Sequence, residues 1–278
     1  MPPQPMIQQL QRQAAAIRKS IVQMVTPVRA SHVGGALSCV DILAALYFSV
    51  LRIDPKKPYA LSRDRFVFSK GHGGTALYAT LAHRGFFPLP RLKRYCRDGS
   101  PLLGHATRSK DVPGLEVTAG SLGHGFPMAN GMAYAAKLDT QAYRVFVLLS
   151  DGECDEGTTW ESALFAGHHR LDNLTVVIDY NKIQSYGRVE EVLGLEPFAA
   201  KWRSFGCSVK EVNGHDFSEL LKVFGRLPMK IGKPSVVICH TVKGKGVSFM
   251  ENKLEWHYRS PTEEQYAQAM KELDAQII

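Results

Sequence analysis

Several patterns that would settle a function at once are missing from this chain. Its five cysteines, Cys39, Cys96, Cys154, Cys207 and Cys239, make no CxxC pair. Their odd number and irregular spacing argue against a disulfide scaffold or a thiolate metal cluster and place the chain in a reducing cytoplasm. No run of roughly 18 apolar residues occurs, which excludes a membrane-spanning helix, and the N-terminus has no apolar signal core. Thirty-four Lys and Arg against 26 Asp and Glu give a net charge of +8, yet the bases are scattered rather than massed. Attraction of anionic small molecules explains that balance better than nucleic-acid binding does. HExxH is absent, and the adjacent His168 and His169 cannot share one helix face as a metal pair. The glycine-rich segments 120–125 and 243–246 match neither the dinucleotide nor the Walker pattern.

What is present alternates. Ile7, Leu10, Ala14, Ile17, Ile21, Met24 and Val28 recur at three and four residues, the stripe of an amphipathic helix over 5–29 that packs as part of the fold. Beyond it the patterns predict helices at 40–50, 75–84, 125–137, 158–170 and 217–224, and a last helix opened by Pro261. Strands are predicted at 65–69, 145–149, 174–178, 209–212 and 235–241. Segments 100–121 and 185–199 lack periodicity and read as ordered loops. No linker, repeat or low-complexity stretch divides the 278 residues. The expectation is one α/β domain spanning 1–278, a parallel sheet covered by helices on both faces.

The chemistry concentrates at two strand ends. Ser150-Asp151-Gly152 closes the apolar run Val145 to Leu149, and Asp179-Tyr180-Asn181 closes the run Leu174 to Ile178. Charge-free, β-branched runs are strands buried on both faces. A right-handed strand-helix-strand unit brings both ends to one crevice, where Asp151 and Asn181 can converge on one cation even with a strand between them. Hard oxygen donors suit Mg²⁺ or Ca²⁺, whose shell is completed by phosphate oxygens, and the helix beginning near Thr158 points free amides at the same crevice. A diphosphate ligand is implied. Either dipeptide alone is an ordinary turn; their pairing in one crossover unit argues for a site.

The acid-Gly pair followed after one such unit by Asn resembles the thiamine diphosphate fingerprint, and the chain as a whole resembles transketolase. The marks are Ser31-His32-Val33-Gly34-Gly35, Ser69-Lys70-Gly71-His72-Gly73, Gly104-His105 and Gly120-Ser121-Leu122-Gly123-His124-Gly125. Downstream follow Ser150-Asp151-Gly152-Glu153 with Glu156-Gly157 and Glu161, then Asn181-Lys182-Ile183, Lys243-Gly244-Lys245-Gly246 and Trp256-His257. Two departures stand out: Ser150 where the fingerprint usually starts with Gly, and His124 where Gln is commoner. Ser150 is tolerable unless it needs positive φ, whereas His124 could alter how its loop meets diphosphate or substrate.

The resemblance implies the thiamine diphosphate-binding (PP-type) fold and the N-terminal subunit of a split transketolase. Such an enzyme moves a two-carbon ketol unit from a ketose, usually phosphorylated, to an aldose. By resemblance, Asp151, Asn181 and the Ile183 carbonyl hold Mg²⁺, with Ca²⁺ or Mn²⁺ as substitutes. The cofactor meets His72, Gly120, Leu122, Gly123, Gly152, Glu156 and His257. His32, His72, His105 and His257 serve substrate proton transfer and orientation. Glu156 and Glu161 join a carboxylate network at a subunit interface, giving Glu156 a catalytic part as well.

The cofactor-activating glutamate of this family lies in further domains. The chain is therefore expected to need a C-terminal subunit carrying the pyrimidine-binding domain, in an α2β2 assembly, with no nucleic acid or membrane partner. An E1 α subunit of a 2-oxo acid dehydrogenase shares the fingerprint but leaves His32, His72 and His105 unexplained. A catalytically silent cofactor-binding module needs fewer proton-active groups. His83, His168, His169 and His215 read as structural, and Cys154 as a small packed residue rather than a nucleophile.

Overall fold

A computed structural model describes residues 2–276, which build five parallel strands flanked by helices. The strands are β1 (Arg65–Phe68), β2 (Val145–Ser150), β3 (Leu174–Tyr180), β4 (Ser208–Asn213) and β5 (Ser235–His240). They lie in the order β1-β2-β3-β5-β4. β2 and β3 are direct neighbours, with Ser150 opposite Asp179, so no strand separates the two polar ends. The crossover between them is α6 (Gly157–His168).

Alternation along each strand feeds two separate cores. Val145, Val147 and Leu149 pack on one face with Ala129 and Ala133 of α5 (Gly125–Leu138), Ala163 and Ala166 of α6, and Trp202 of a short helix at Phe198–Ser204. Phe146 and Leu148 face the other way. There they meet side chains from α1 (Gln4–Val25), α2 (Val33–Ser38), α3 (Val40–Ala45), α4 (Gly74–Arg84), α9 (Phe217–Phe224) and α10 (Glu263–Asp274), where α7 and α8 are Val189–Val192 and the Phe198–Ser204 helix. Every residue of β2 and β3 is buried. Both faces of the sheet are therefore covered, as charge-free strands require.

The amphipathic stripe is the buried side of α1: Leu10, Ala14, Ile17, Ile21 and Met24 are each 3% exposed or less. The helix stops at Val25 rather than 29, because Pro27 forces a tighter turn over Thr26–Val28 and Arg29 turns left-handed. Arg18 of α1 makes a bidentate pair with buried Asp41 of α3, which also takes a 2.6 Å hydrogen bond from His215 Nδ1. His215 Nε2 accepts from the Val242 amide at 2.8 Å, so this histidine is structural, as its setting in the sequence suggested.

Other boundaries shifted for identifiable reasons. The helix expected at 40–50 is α3 followed by a widened turn at Leu46–Val50, and α2 before it was missed because Gly34 and Gly35 lower its helix propensity. Pro261 does not open α10; Thr262 is the cap, in a reciprocal arrangement with Gln265. Segment 100–121 is irregular throughout, whereas 185–199 contains α7 and the start of α8.

Gly71, just after β1, permits a close crossing. A Cβ there would lie 2.0 Å from the Ala119 carbonyl oxygen, and the Gly71 carbonyl accepts the Ala106 amide at 3.1 Å. Gly71→Ala must push the 105–120 loops off the sheet edge. Urea unfolding is expected to show a loss of about 1–3 kcal/mol, the range for forced overpacking.

Candidate active site

At the carboxyl end of the sheet, the chain turns sharply after β2 and β3. Asp151 caps the turn at 152–155: its Oδ1 accepts the Gly152 amide at 2.8 Å and its Oδ2 the Lys182 amide at 2.6 Å. Lys182 adopts positive φ, 68°, which swings the backbone so that the Ile183 amide meets Asn181 Oδ1 at 3.1 Å. Asp151, Asn181 and Ile183 all line one cavity of about 240 Å³. A larger groove of about 620 Å³, between α1, α4 and segment 89–97, gathers no carboxylate.

The four motif histidines enter the same cavity from separate elements. His32 precedes α2 in a left-handed conformation, φ 67°, and donates its amide to the His257 carbonyl at 2.7 Å. Its ring lies 5.0 Å from that of His257, 5.4 Å from His72 and 6.0 Å from His105, centroid to centroid. A strained backbone at the centre of such a cluster is a mark of function. His105 sits at the exposed rim, its carbonyl held by the Tyr78 hydroxyl at 2.9 Å.

Burial dominates the electrostatics. It pushes His32 down to about 4 and His257 down to about 3, helped by the charges of His105 and Lys243 on the first and of Lys243 on the second. His72 is also lowered well below its ordinary value, chiefly by burial and then by Lys70. These rings are neutral near pH 7, so each offers one donor and one acceptor nitrogen. Asp151 moves the other way, up to about 6, through burial and then the charge of Asp179. The Lys70 ammonium, bonded to Asp179, offsets only part of that rise.

Among the sequence candidates, Gly120 and Leu122 line the cavity, whereas Gly123 and Gly152 do not. The Gly123 amide instead donates to Glu153 Oε1 at 2.9 Å. Glu156 and Glu161 are exposed on α6 and its cap, outside the wall. His124 is exposed as well, its ring near the Leu122 carbonyl at 3.2 Å. Ser150 belongs to a regular strand without positive φ, so its Cβ costs no backbone strain.

Three chemical groups escaped the sequence reading. Lys70 and Lys243 both line the cavity, each inside a quoted motif but given no role there. Lys243 Nζ donates to the Ile183 carbonyl at 2.9 Å and to that of Gln184 at 3.2 Å, and lies 2.9 Å from His257 Nδ1. Burial lowers its pKa to about 8. Glu153, fully buried, accepts from Ser69 and Gly123 and pins the 120–125 loop to the end of β1; burial raises it to about 7. For Lys70, a lone charge where the apolar strand 65–69 stops was the available signal.

The family model for the transketolase, thiamine diphosphate-binding domain matches residues 9–276. The chain belongs to the transketolase family. It is 43% identical over 271 residues to one subunit of the apulose-4-phosphate transketolase of Phocaeicola vulgatus, covering 98% of this chain and 96% of that one. It is 44% identical over 265 residues to the 6-deoxy-6-sulfo-D-fructose transketolase subunit SqwG of a Clostridium species, covering 95% and 96%. The transketolase structure from Campylobacter jejuni superposes with a TM-score of 0.88 at 31% identity, over 95% of this chain but only 42% of that one. The chain thus corresponds in length to the two separate subunits and to less than half of that longer transketolase. The fold is that of transketolase N-terminal domains, and nothing favours the 2-oxo acid dehydrogenase reading.

The pH dependence of His257 follows from its depressed pKa. In the unfolded chain it takes up a proton near pH 6.5, while in the folded transketolase subunit it resists protonation down to about 3. Its contribution to stability is therefore complete above about 6.5 and is lost as pH falls toward the folded value. His257→Asn should gain on the parent by about 1–2 kcal/mol between pH 7 and about 4.5, after discounting for its partial exposure. Urea unfolding of both chains at the two pH values measures this.

Proposed function

We propose that this chain is the diphosphate-binding subunit of a two-chain transketolase, transferring a two-carbon ketol unit from a ketose to an aldose. The observation that carries the reading is the convergence of His32, His72, His105 and His257 with Asp151 and Asn181 in one cavity at the carboxyl edge of the sheet. Both subunit relatives are named for a ketose with an anionic group, a phosphate in one and a sulfonate in the other. An anionic ketose donor is therefore the proposed substrate class.

The residues fit a metal diphosphate. Asp151 is a buried carboxylate whose oxygens accept backbone amides rather than pairing with a base, and Asn181 and the Ile183 carbonyl add hard oxygens, the donor set of Mg²⁺ with Ca²⁺ or Mn²⁺ as substitutes. Among the described residues no three His, Cys, Asp or Glu side chains gather as a metal cluster, which suits an ion completed by phosphate rather than by protein alone. The Ile183 carbonyl already accepts from Lys243, and its second lone pair is free for a metal. Lys243, which pairs with no carboxylate among the described residues, supplies positive charge for the diphosphate, whereas the Lys70 ammonium is taken up by Asp179. Gly35 and Gly120 keep the wall open: a Cβ at Gly120 would lie 3.5 Å from the His105 ring.

Thiamine diphosphate, when bound, supplies the reactive carbon that takes up the two-carbon unit. The chain's part is to hold, orient and relay protons. His32 Nδ1 is fixed by the Ser31 hydroxyl at 2.8 Å, leaving Nε2 as the nitrogen free to meet a sugar hydroxyl. Neutral His72 and His257, held neutral by burial, can accept or donate a proton at the same centre. Glu156 and Glu161, exposed, are proposed to face another subunit.

A cavity of about 240 Å³ is smaller than the roughly 300–1,000 Å³ of complete ligand sites. That supports a half-site completed by a C-terminal partner in an α2β2 assembly. Five free cysteines, four of them buried, and the absence among the described residues of a helix able to cross a membrane support a cytoplasmic setting.

The test mixes the chain with candidate C-terminal partners, Mg²⁺, thiamine diphosphate and a panel of ketose donors and aldose acceptors. Turnover is expected only in the mixture; turnover by the chain alone refutes the split arrangement. Asp151→Asn should weaken cofactor binding by on the order of 100-fold, at the upper end of what ligand-shell changes cost. Decarboxylation of pyruvate without ketol transfer would favour the oxo acid reading, and partner activity indifferent to Mg²⁺ and cofactor the silent one.

A further inference from the structure

At the base of the cavity lies an ion pair to which the proposed chemistry gives no part. Lys70 and Asp179 are both 0% exposed and bonded to each other. Lys70 Nζ also donates to the Gly35 carbonyl at 2.9 Å. On Asp179, Oδ2 accepts from the Ser38 hydroxyl at 2.6 Å and Oδ1 from the Thr241 hydroxyl. Asn181 Nδ2 reaches the same Ser38 oxygen at 3.5 Å.

Each of the four segments tied by this pair carries part of the cavity wall. Ser38 and Gly35 belong to α2, which His32 precedes. Lys70 lies two residues before His72, Asp179 two before Asn181, and Thr241 two before Lys243. Parallel pairing fixes β3 against β5 but leaves β1 separated from β3 by β2, and α2 outside the sheet altogether. Hydrogen bonds of the ladder register β1 against β3 only through β2, and they do not reach α2 at all. The ion pair joins these pieces directly.

We propose that Lys70 and Asp179 are positioning residues, a buried clamp that sets the histidine-bearing turn, the metal-site strand end, the Lys243 loop and α2 in the geometry that binds Mg²⁺ and thiamine diphosphate. The role rests on the functional reading above. Neither side chain needs to touch a reacting atom.

Removing one partner alone leaves an uncompensated buried charge, which would unfold or distort the chain whatever its role. The informative variant is therefore Lys70→Met with Asp179→Leu, which removes both charges and nearly conserves volume. A merely structural pair predicts that a folded double variant binds cofactor as the parent does. A clamp predicts a melting temperature close to the parent's, at least tenfold weaker thiamine diphosphate affinity by calorimetry in the presence of Mg²⁺ and the partner chain, and kcat at saturating cofactor changed less than threefold.

Thr241→Val, isosteric and leaving the ion pair intact, is the second variant. It should weaken cofactor binding about threefold with little change in melting, and it decides the matter if the double variant does not fold. Parent-like cofactor affinity in a folded double variant, or in Thr241→Val where the double variant fails, overturns the clamp. A parent complex that binds no thiamine diphosphate overturns the functional reading itself, and the clamp with it, so the two failures are told apart by the parent alone.

Discussion

The site depends on the parallel register of β2 with β3. All strands of a parallel sheet finish at one edge, so whatever residue follows each apolar run is delivered to a common crevice. Here both faces of the sheet are covered by separate cores, and every residue of both strands is buried. A polar side chain then has one outlet, the carboxyl edge. Because side chains alternate with a period of two, a one-residue slip would move Phe146 and Leu148 into the core built for Val145 and Val147. The cost of mispacking two cores at once holds Ser150 opposite Asp179 and brings Asp151 and Asn181 together.

The burial that secures the register leaves the ionisable groups mismatched to their surroundings. Asp151 is raised to about 6, while His32, His257 and Lys243 are lowered to about 4, 3 and 8, in each case by burial first. One carboxylate favours a cation beside it, and the bases favour an anion. A bound metal relieves the first and a bound diphosphate the second, so on the proposed reading each ligand improves the environment for the other. Burial is a cost to the empty cavity and a source of affinity in the filled one.

Much of this was legible before any coordinates. The strands declared themselves as charge-free runs because burial on both faces leaves no room for polar alternation, and α1 did so through its stripe. The four histidines were singled out by the wording around them, and the structure brings the rings of His72, His105 and His257 within 5.0 to 6.0 Å of His32. What stayed hidden was long-range. Lys70 and Asp179 are 109 positions apart, and no local pattern announces that a lysine after one strand pairs with an acid near the end of another. Lys243 was hidden likewise, because its partners Ile183 and Gln184 belong to a distant turn. Glu153 was passed over for Glu156, since sequence spacing does not distinguish the buried acid of a turn from the exposed one.

The open side of the cavity bears on how such an enzyme can be divided between chains. His105 and Tyr258, on its wall, are exposed, Tyr258 at 58%, whereas Asp151, Asn181, Lys70 and Lys243 at its base are 6% or less. These charged groups are thus buried by this chain's own fold, and on the proposed reading the exposed groups of the wall are the ones that a second surface covers. A division between positions 70 and 179 would instead separate the two halves of the Lys70–Asp179 pair. On the proposed reading, division at the cofactor leaves this chain's ionic network whole. Joining the two halves by binding rather than by a linker then makes cofactor retention depend on subunit concentration, because each ligand that prefers the assembled state stabilises the assembly in return.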